Sequence, residues 1–584
     1  MLDFIYYPHW QNDSLKLTEF RMQNHDTIYK RTETISWIVG SGQHTNSHLL
    51  NFNGYVYQAP ATYYTQKGTW DLPPGFENGY NSRFSRMIGL ECMSCHNAFP
   101  KMVIGSENKY DFIANGIDCE RCHGPGEKHV QQKLAGKILD VSSQTDYTIV
   151  NPAKLPIARQ LDICQRCHIQ GNAVLKEGKS FFDFRPAMRL SDVMDIYMPV
   201  FKGGENEHIM ASHAERMKLS QCFKVSIAKA EELNKVRPSL TPYKNAMTCI
   251  TCHDPHVSVR STDQAIFNAK CMNCHNRTIE RAPDEQNESM GCKESIAKRS
   301  IVNDNCVSCH MPSSGTIDIP HVITTDHWIR IPGKTSDVGR IKEFAGLACI
   351  NNPDADYRSK AKAFISYYEK FSSNLAYLDS AEKYIKGADF VNDVSNFKIR
   401  VHILYLKRNY MELIALVNAI PGALSYLSQQ SFTNDDAWTA YRIGEAFLQE
   451  ANLKRSLEFL GRAVELAPFH PDFRNKLAGA YVDAGLNDKA KENYQFILSE
   501  NPHYFSAYIN LGYLIMKTSR DIKLADSLYN KALSLDPDNI QALLNKSGLL
   551  IYQGKRREAR ELLFRVLKRE RGNAQATMLL KEIS

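Results

Sequence analysis

Six pentapeptides of the form Cys-x-x-Cys-His stand in the first half of this 584-residue chain. They are Cys92–His96 (CMSCH), Cys119–His123 (CERCH), Cys164–His168 (CQRCH), Cys249–His253 (CITCH), Cys271–His275 (CMNCH) and Cys306–His310 (CVSCH). Two thiols three apart on a short turn can each add to one vinyl group of a haem, and the adjoining imidazole then lies under the iron as its axial ligand. At this Cys and His content chance supplies roughly 0.01 such pentapeptides. The spacing therefore predicts six c-type haems. Their thioether positions are Cys92, Cys95, Cys119, Cys122, Cys164, Cys167, Cys249, Cys252, Cys271, Cys274, Cys306 and Cys309, and their proximal ligands are His96, His123, His168, His253, His275 and His310. Structural zinc ribbons and disulfides also use paired CxxC, but neither needs a His after every second Cys.

Ten further histidines fall within residues 1–330. A second imidazole saturates a haem iron and favours outer-sphere electron transfer, whereas a missing one leaves a position for substrate. Seven of the ten are candidate distal ligands: His44, His48, His129, His213, His256, His321 and His327, with His321, His213 and His129 foremost. His129 ends CHGPGEKH, whose Gly-Pro-Gly turn can fold the chain back. His256, in CHDPH, is too close to its own proximal His to reach the opposite face and is expected to serve a neighbouring haem. His9, His25 and His208 are read as uninvolved. The motifs at Cys249 and Cys271 start 22 residues apart and those at Cys92 and Cys119 27 apart, so haems adjacent in sequence are expected to be neighbours in space.

The elements that must position these groups fall into distinct parts. All fifteen cysteines lie within residues 92–349, and Cys222, Cys292 and Cys349 are left over, either as a disulfide partner or as buried thiols. The formal charge of +7 has no basic run behind it, and six haems would offset it with roughly −12 of ionised propionate. Nucleic acid is thus not an expected partner. Covalent haem attachment by this motif takes place outside the cytoplasmic membrane in bacteria, so the chain is expected to be periplasmic or extracellular. Residues 1–30 contain no basic segment followed by an apolar one, and no apolar run reaches the ~18 residues of a membrane span. A removed leader or a missing start is the expectation, and the aromatic-rich opening favours the missing start.

Residues 1–90 alternate short β-like stretches with Gly, Pro and Asn turns and read as a β-containing N-terminal part. Residues 91–335, poor in long amphipathic periodicity and rich in turns, read as the haem-bearing domain of loops and short helices. Residues 336–360 read as a linker, and beyond them the pattern turns to a period of 3.6. There Ile443-Gly444, Phe447, Leu460, Ala463 and Pro468 recur 34 residues on as Leu477-Ala478, Tyr481, Tyr494, Ile497 and Pro502. They return, with one residue inserted, as Leu511-Gly512, Ile515, Tyr529, Ala532 and Pro537. A weaker fourth copy passes through Ser547, Gly554, Ala559 and Leu563, and residues 360–386 and 393–418 look like degenerate earlier pairs. The unit resembles the tetratricopeptide repeat, which would make residues 361–584 an all-α solenoid.

The whole chain resembles the multihaem cytochromes c with a C-terminal tetratricopeptide array, relatives of the doubled-CxxCH tetrahaem cytochromes and of hydroxylamine oxidoreductase. The resemblance rests on GSGQHTNS, YYTQKGTWDLPPGF, CxxCHGPGEKH, SHAERM, CITCHDPH, CVSCHMP with PHVITTDH, and the repeats. It implies extracytoplasmic electron transfer through mostly bis-His haems. It also implies a further haem motif ahead of residue 1, of whose site His9 or His25 would be a remnant. The array is expected to dock a redox partner protein, with self-association into an oligomer or filament as the second choice. An alternative is an oxidoreductase acting on a small nitrogen or sulfur compound at one open haem. Related nitrite reductases use CxxCK there, which this chain lacks, and the tyrosine crosslink of hydroxylamine oxidoreductase stays open among 28 Tyr.

Overall fold

The computed structural model describes residues 4–77, 81–168, 171–202, 212–275, 292, 294–316, 318–332 and 343–584. The expectation at His208 lies outside them. The chain opens on an antiparallel meander of Ile5–Gln11, Ser14–Gln23 and Asp26–Thr34. Its two-residue turns, Asn12-Asp13 and Asn24-His25, take positive φ at both positions, the twist that closes a tight hairpin without splaying the strands. A second sheet joins Trp37–Val39, Ser47–Phe52, Tyr55–Gln58 and Arg86–Met87 around buried Leu50, Tyr55 and Val56. It delivers the chain into the first Cys-x-x-Cys-His helix, Leu90–His96.

The next part consists of short helices, and all six motifs lie wholly or partly on one: Leu90–His96, Glu120–His123, Ile157–Gln165, Cys249–Cys252, Gln264–His275 and Cys306–His310. One helical turn sets residues three apart on a common side, so each pair of thiols shares a face. Strand structure reaches further than the opening residues, however. Asn172–Leu175 and Met194–Lys202 pair antiparallel, and the start of the second strand is buried on both faces, at Met194, Asp195, Ile196 and Tyr197. Glu343–Cys349 adds a third antiparallel strand to this pair. The linker expected over 336–360 is corrected to this extent: its described residues include a paired strand, Glu343–Cys349, and, after a turn, the start of the helix Tyr357–Lys370.

From there to the end the fold is an all-α stack of antiparallel helix pairs carrying tetratricopeptide repeats. Tyr357–Lys370 with Leu375–Tyr384 and Val394–Leu406 with Tyr410–Asn418 are the two early pairs. Asp435–Gln449 with Leu453–Leu466, Pro471–Asp483 with Asn487–Glu500, Phe505–Thr518 with Ile522–Leu535, and Ile540–Tyr552 with Arg556–Arg569 follow, and Ala574–Glu582 closes the stack. The recurring small residues sit where the helices of a pair cross. A Cβ on Gly444 would lie 2.8 Å from Leu460, and one on Gly512 would lie 2.6 Å from Tyr529. Ala490, Ala525 and Ala559 are fully buried at the matching place in the second helix. Among the described residues no helix is long and apolar enough to cross a membrane.

The turns between successive repeats are docked against the first half of the chain. Phe469 N donates to Gly105 O at 2.9 Å and Tyr55 OH to Phe469 O at 2.8 Å. One repeat later Asn501 Nδ2 donates to Tyr57 OH at 2.7 Å, and the His503 ring stacks 3.5 Å from that of Phe52. One repeat later still, Arg21 Nη1 meets Asp538 at 2.9 Å, Tyr29 OH donates to Ser534 O and Arg83 Nη1 to Asp536 at 2.8 Å. At the other end of the array, Tyr197 OH donates to Ser359 Oγ at 3.0 Å and Asn172 Nδ2 to Ala363 O at 3.2 Å. The two halves therefore lie antiparallel, the N-terminal strands on the last repeats and the later strand pair on the first helices.

Arg83 is the centre of this contact, joining Asp536 to Glu19, whose side chain is fully buried. Removing one partner of a buried ion pair leaves an uncompensated charge, which costs about 3–5 kcal/mol. Arg83→Met should lower the unfolding free energy in urea by that amount, with a lower midpoint, and speed amide exchange over residues 14–34. An unchanged midpoint would show that the contact is not under load.

Candidate functional site

The six motifs are brought together in an order different from that of the sequence. Cys95 Sγ lies 3.7 Å from the carbonyl of Arg166, and Cys167 Sγ 4.0 Å from that of Ser94, so the first motif abuts the third. The thiols of Cys95 and Cys167 interact: that contact and then burial raise the pKa of Cys95, while the same contact, with Arg166 beside it, lowers that of Cys167 against the opposing effect of burial. Cys164 and Cys249 are joined in the same way, linking the third motif to the fourth, and Cys271 interacts with Cys306, linking the fifth to the sixth. The helix of the fourth motif packs on that of the fifth. The second motif enters through Arg121, whose Nη2 donates to Ser94 O, a carbonyl that Arg166 Nη2 also approaches at 3.4 Å.

Histidines from distant segments meet the motif histidines ring to ring. His123 and His256 have centroids 6.1 Å apart and planes within 13°. His253 and His327 are likewise 6.1 Å apart, and His168 and His213 are 5.4 Å apart. An atom bonded to one nitrogen of each ring at ~2 Å would set two imidazole centroids about 6 Å apart, a separation that His123–His256 and His253–His327 have and that His168–His213, at 5.4 Å, falls short of. The ring that His256 faces is that of His123, in another motif. Among the described residues His96, His275 and His310 have no second imidazole in ring contact.

Ring orientation is fixed from behind. Nδ1 lies 2.8 Å from Val150 O in His123, 2.9 Å from Arg330 O in His310 and 2.9 Å from Thr325 O in His327. In the same way His48 meets Ala61 O at 3.2 Å, His129 meets Thr148 Oγ1 at 3.1 Å and His256 meets Asp254 at 3.0 Å. A backbone or carboxylate acceptor at Nδ1 leaves Nε2 to bind a metal. Burial pushes the pKa of His327 down to about 4 and also lowers those of His253, His96, His48 and His44, which keeps the imidazoles in the neutral form that ligates. His44 is bound instead through Gln66 at 2.9 Å. His321 departs from its expected role. Its Nε2, the nitrogen an iron would need, is 2.7 Å from Asp71 Oδ2, while Lys67 approaches Nδ1 and Tyr64 packs edge-on.

The surroundings suit a flat apolar group. Between residues 212 and 332 the described apolar side chains that are buried are Ala214, Met217, Ile227, Ala246 and Val322. Larger ones stand exposed, including Ile250 and Met272 inside two motifs and Val257 and Ile266 between them. Exposed apolar surface costs ~25 cal/mol per Å², and a concentration of it marks a surface that takes a partner. Six porphyrins would fit that demand. Among the described residues no three Cys, His, Asp or Glu side chains converge as a zinc ribbon needs. Cys222, Cys292 and Cys349 form no disulfide; Cys349 Sγ donates to Asn351 at 3.4 Å.

Several supporting residues carry no sequence signal of their own. Asp326 accepts from Arg216 Nε and Nη2 at 2.8 and 2.7 Å and from Arg330 at 2.6 Å. Burial would raise its pKa, but the Arg216 hydrogen bonds hold it well below the carboxylate range. This buried knot ties the helix His213–Leu219 to the segment bearing His327, and it explains the 4.5 Å approach of His213 to His327. Arg121 and Arg166 are also nearly fully buried. Burial, then the neighbouring Arg166, pulls the Arg121 pKa down to about 10. They occupy the same place in two motifs, immediately before the second Cys, which is the one hint the sequence offers.

The family profile of the tetratricopeptide repeat matches residues 518–583. Protein O-mannosyl-transferase TMTC3 of Homo sapiens is 25% identical over 163 residues, which are 26% of this chain and 18% of that protein. Multiheme cytochrome MtrA of Shewanella baltica (strain OS185) is 23% identical over 193 residues, 32% of this chain and 51% of that protein. The chain thus spans about a fifth of the first and about half of the second. Among solved structures, YrrB, a TPR protein with an unusual peptide-binding site, is 15% identical with a TM-score of 0.25, covering 38% of this chain and 99% of its own. The APC/C hetero-tetramer Cut9-Hcn1 is 15% identical with a TM-score of 0.31, covering 39% and 42%.

Asp326→Asn should weaken both arginine contacts and cost about 3–5 kcal/mol, as for other broken buried pairs. Denaturant unfolding followed with amide exchange checks this. Faster exchange at residues 213–219 and 323–327 together is the expected pattern, and a change at only one would show that the knot does not couple them.

Proposed function

We propose that this chain is an extracytoplasmic multihaem c-type cytochrome that carries single electrons along six haems held mainly between two imidazoles. The observation that carries the reading is the set of ring pairs His123–His256, His253–His327 and His168–His213 at 5.4–6.1 Å. In each, a motif histidine meets a histidine from outside the motifs. A haem iron between two imidazoles exchanges one electron without a change of ligands. The chain's own residues would do the rest. Twelve motif thiols would bind the groups covalently. The acceptors at Nδ1 would hold each ring, and the exposed apolar side chains between motifs would be covered. The partial likeness to MtrA supports this reading, and the contacts among motifs make a continuous row, first to third to fourth to fifth to sixth.

Tetratricopeptide repeats generally mediate protein–protein contact. One part of the array's surface, its inter-repeat turns, is taken up by the chain itself, so we assign the array first to bracing the haem-bearing part. Docking of a redox partner protein, or of a second copy, would fall to the surfaces that remain.

Pyridine haemochrome assay and intact mass should give six covalent haems per chain, and three or fewer would overturn the reading. Spectra should be low-spin and unresponsive to nitrite, hydroxylamine or carbon monoxide; a high-spin signal near one sixth would point to a reactive haem instead. His256→Met should raise the potential of one haem, because a Met ligand stabilises the reduced iron. His321→Met should leave every haem spectrum as it was. The opposite result for the pair would exchange their roles.

A further inference from the structure

Two guanidinium groups are buried at the junction of the first three motifs with part of their hydrogen-bonding capacity unused. Arg121 is 2% exposed and Arg166 5%. Both aim Nη2 at the single carbonyl of Ser94. Arg121 Nε and Nη1 and Arg166 Nε, also buried, have no hydrogen-bond partner. Neither residue forms an ion pair with a carboxylate among the described residues. Their flat faces are already covered, Arg121 lying 5.1 Å from Phe99 and 4.7 Å from Phe182, and Arg166 5.8 Å from Phe184. The edges alone are left, and a guanidinium edge is shaped to take a planar carboxylate through two parallel N–H bonds. Two uncompensated cations this deep are costly, so the fold requires an anion that the polypeptide does not supply.

We propose that Arg121 and Arg166 form a carboxylate-binding site for propionates of the haems at the first three motifs. The inference rests on the haem reading above. It explains why an arginine stands immediately before the second Cys in just these two motifs. The site would neutralise both cations at once and fix each porphyrin's rotation about its iron–His axis. It would also place fixed positive charge beside the row, which favours the reduced, less positive haem.

The test uses the haem-loaded protein with Arg121→Gln, Arg166→Gln and Arg121→Lys, with Arg557→Gln, on an exposed helix of the array, as control. With six haems retained by mass, each Gln variant should shift one or two haems to lower potential in a spectroelectrochemical titration. Arg121→Lys should keep the potential close to that of the parent, yet move the propionate bending band in resonance Raman, because an ammonium cannot reproduce the fork. The control should change neither. Gln variants with six haems, parental potentials and an unmoved propionate band would overturn the proposal and leave the arginines as braces for the Ser94 carbonyl. Should both Gln variants fail to fold, the Lys variant decides alone through its Raman band. A parent protein without covalent haem would instead overturn the underlying reading, a result the mass measurement separates from the others.

Discussion

Everything in this structure depends on one half holding the other in shape. Among the described residues of the segment carrying the last three motifs, five apolar side chains are buried, too few to fix a fold. The helical half has continuous cores, one running from Phe397 to Ala480 and another from Ala478 to Leu549. Between them lie paired contacts at Gly105, Tyr55, Tyr57 and Arg83, matched to turns 34 or 35 residues apart. A stack whose repeats contact mainly their neighbours is a regular ruler, and the strands at the start of the chain are laid along it. Rigidity reaches this sparsely packed part from outside.

Within that frame, position is set by small polar devices more than by packing. The carboxylate of Asp326 gathers two arginines from different segments, and carbonyls of Val150, Thr325 and Arg330 hold imidazoles from behind. Such bonds suit a row of closely spaced groups. Each fixes a direction to a few degrees and leaves the apolar faces free for the porphyrins we propose. The three motifs that meet at Ser94 show the same economy, with one carbonyl serving as a common reference for two side chains.

The sequence made the large divisions legible because each has its own period. A strict Cys-x-x-Cys-His spacing marks one half, and a 34-residue repeat marks the other down to its helix-crossing glycines, Gly444 and Gly512. Histidines were legible in kind but not in partner. His256 could be read as serving a neighbouring site from its distance to His253, yet its facing ring, His123, is 133 residues away and no local pattern names it. His321 shows the limit from the other side, since Asp71, which takes its Nε2, lies 250 residues earlier. The strand Glu343–Cys349 was hidden for a similar reason. Its pairing with Met194–Lys202 is long-range, and its short, small-residue alternation is weak in isolation.

The antiparallel arrangement of the halves has a consequence for how the chain is made. Arg21 and Asp538, which face each other in the folded protein, are separated by 517 residues. A ribosome working at ~5–20 residues per second presents the opening strands long before the repeats on which they rest. The meander, with Trp10, Tyr7 and Ile28 outward, must pass that interval without its seat. The repeats, whose contacts are local, can form as they emerge. The opening strands thus gain their seat only once the turn at Ser534–Asp538 has been made.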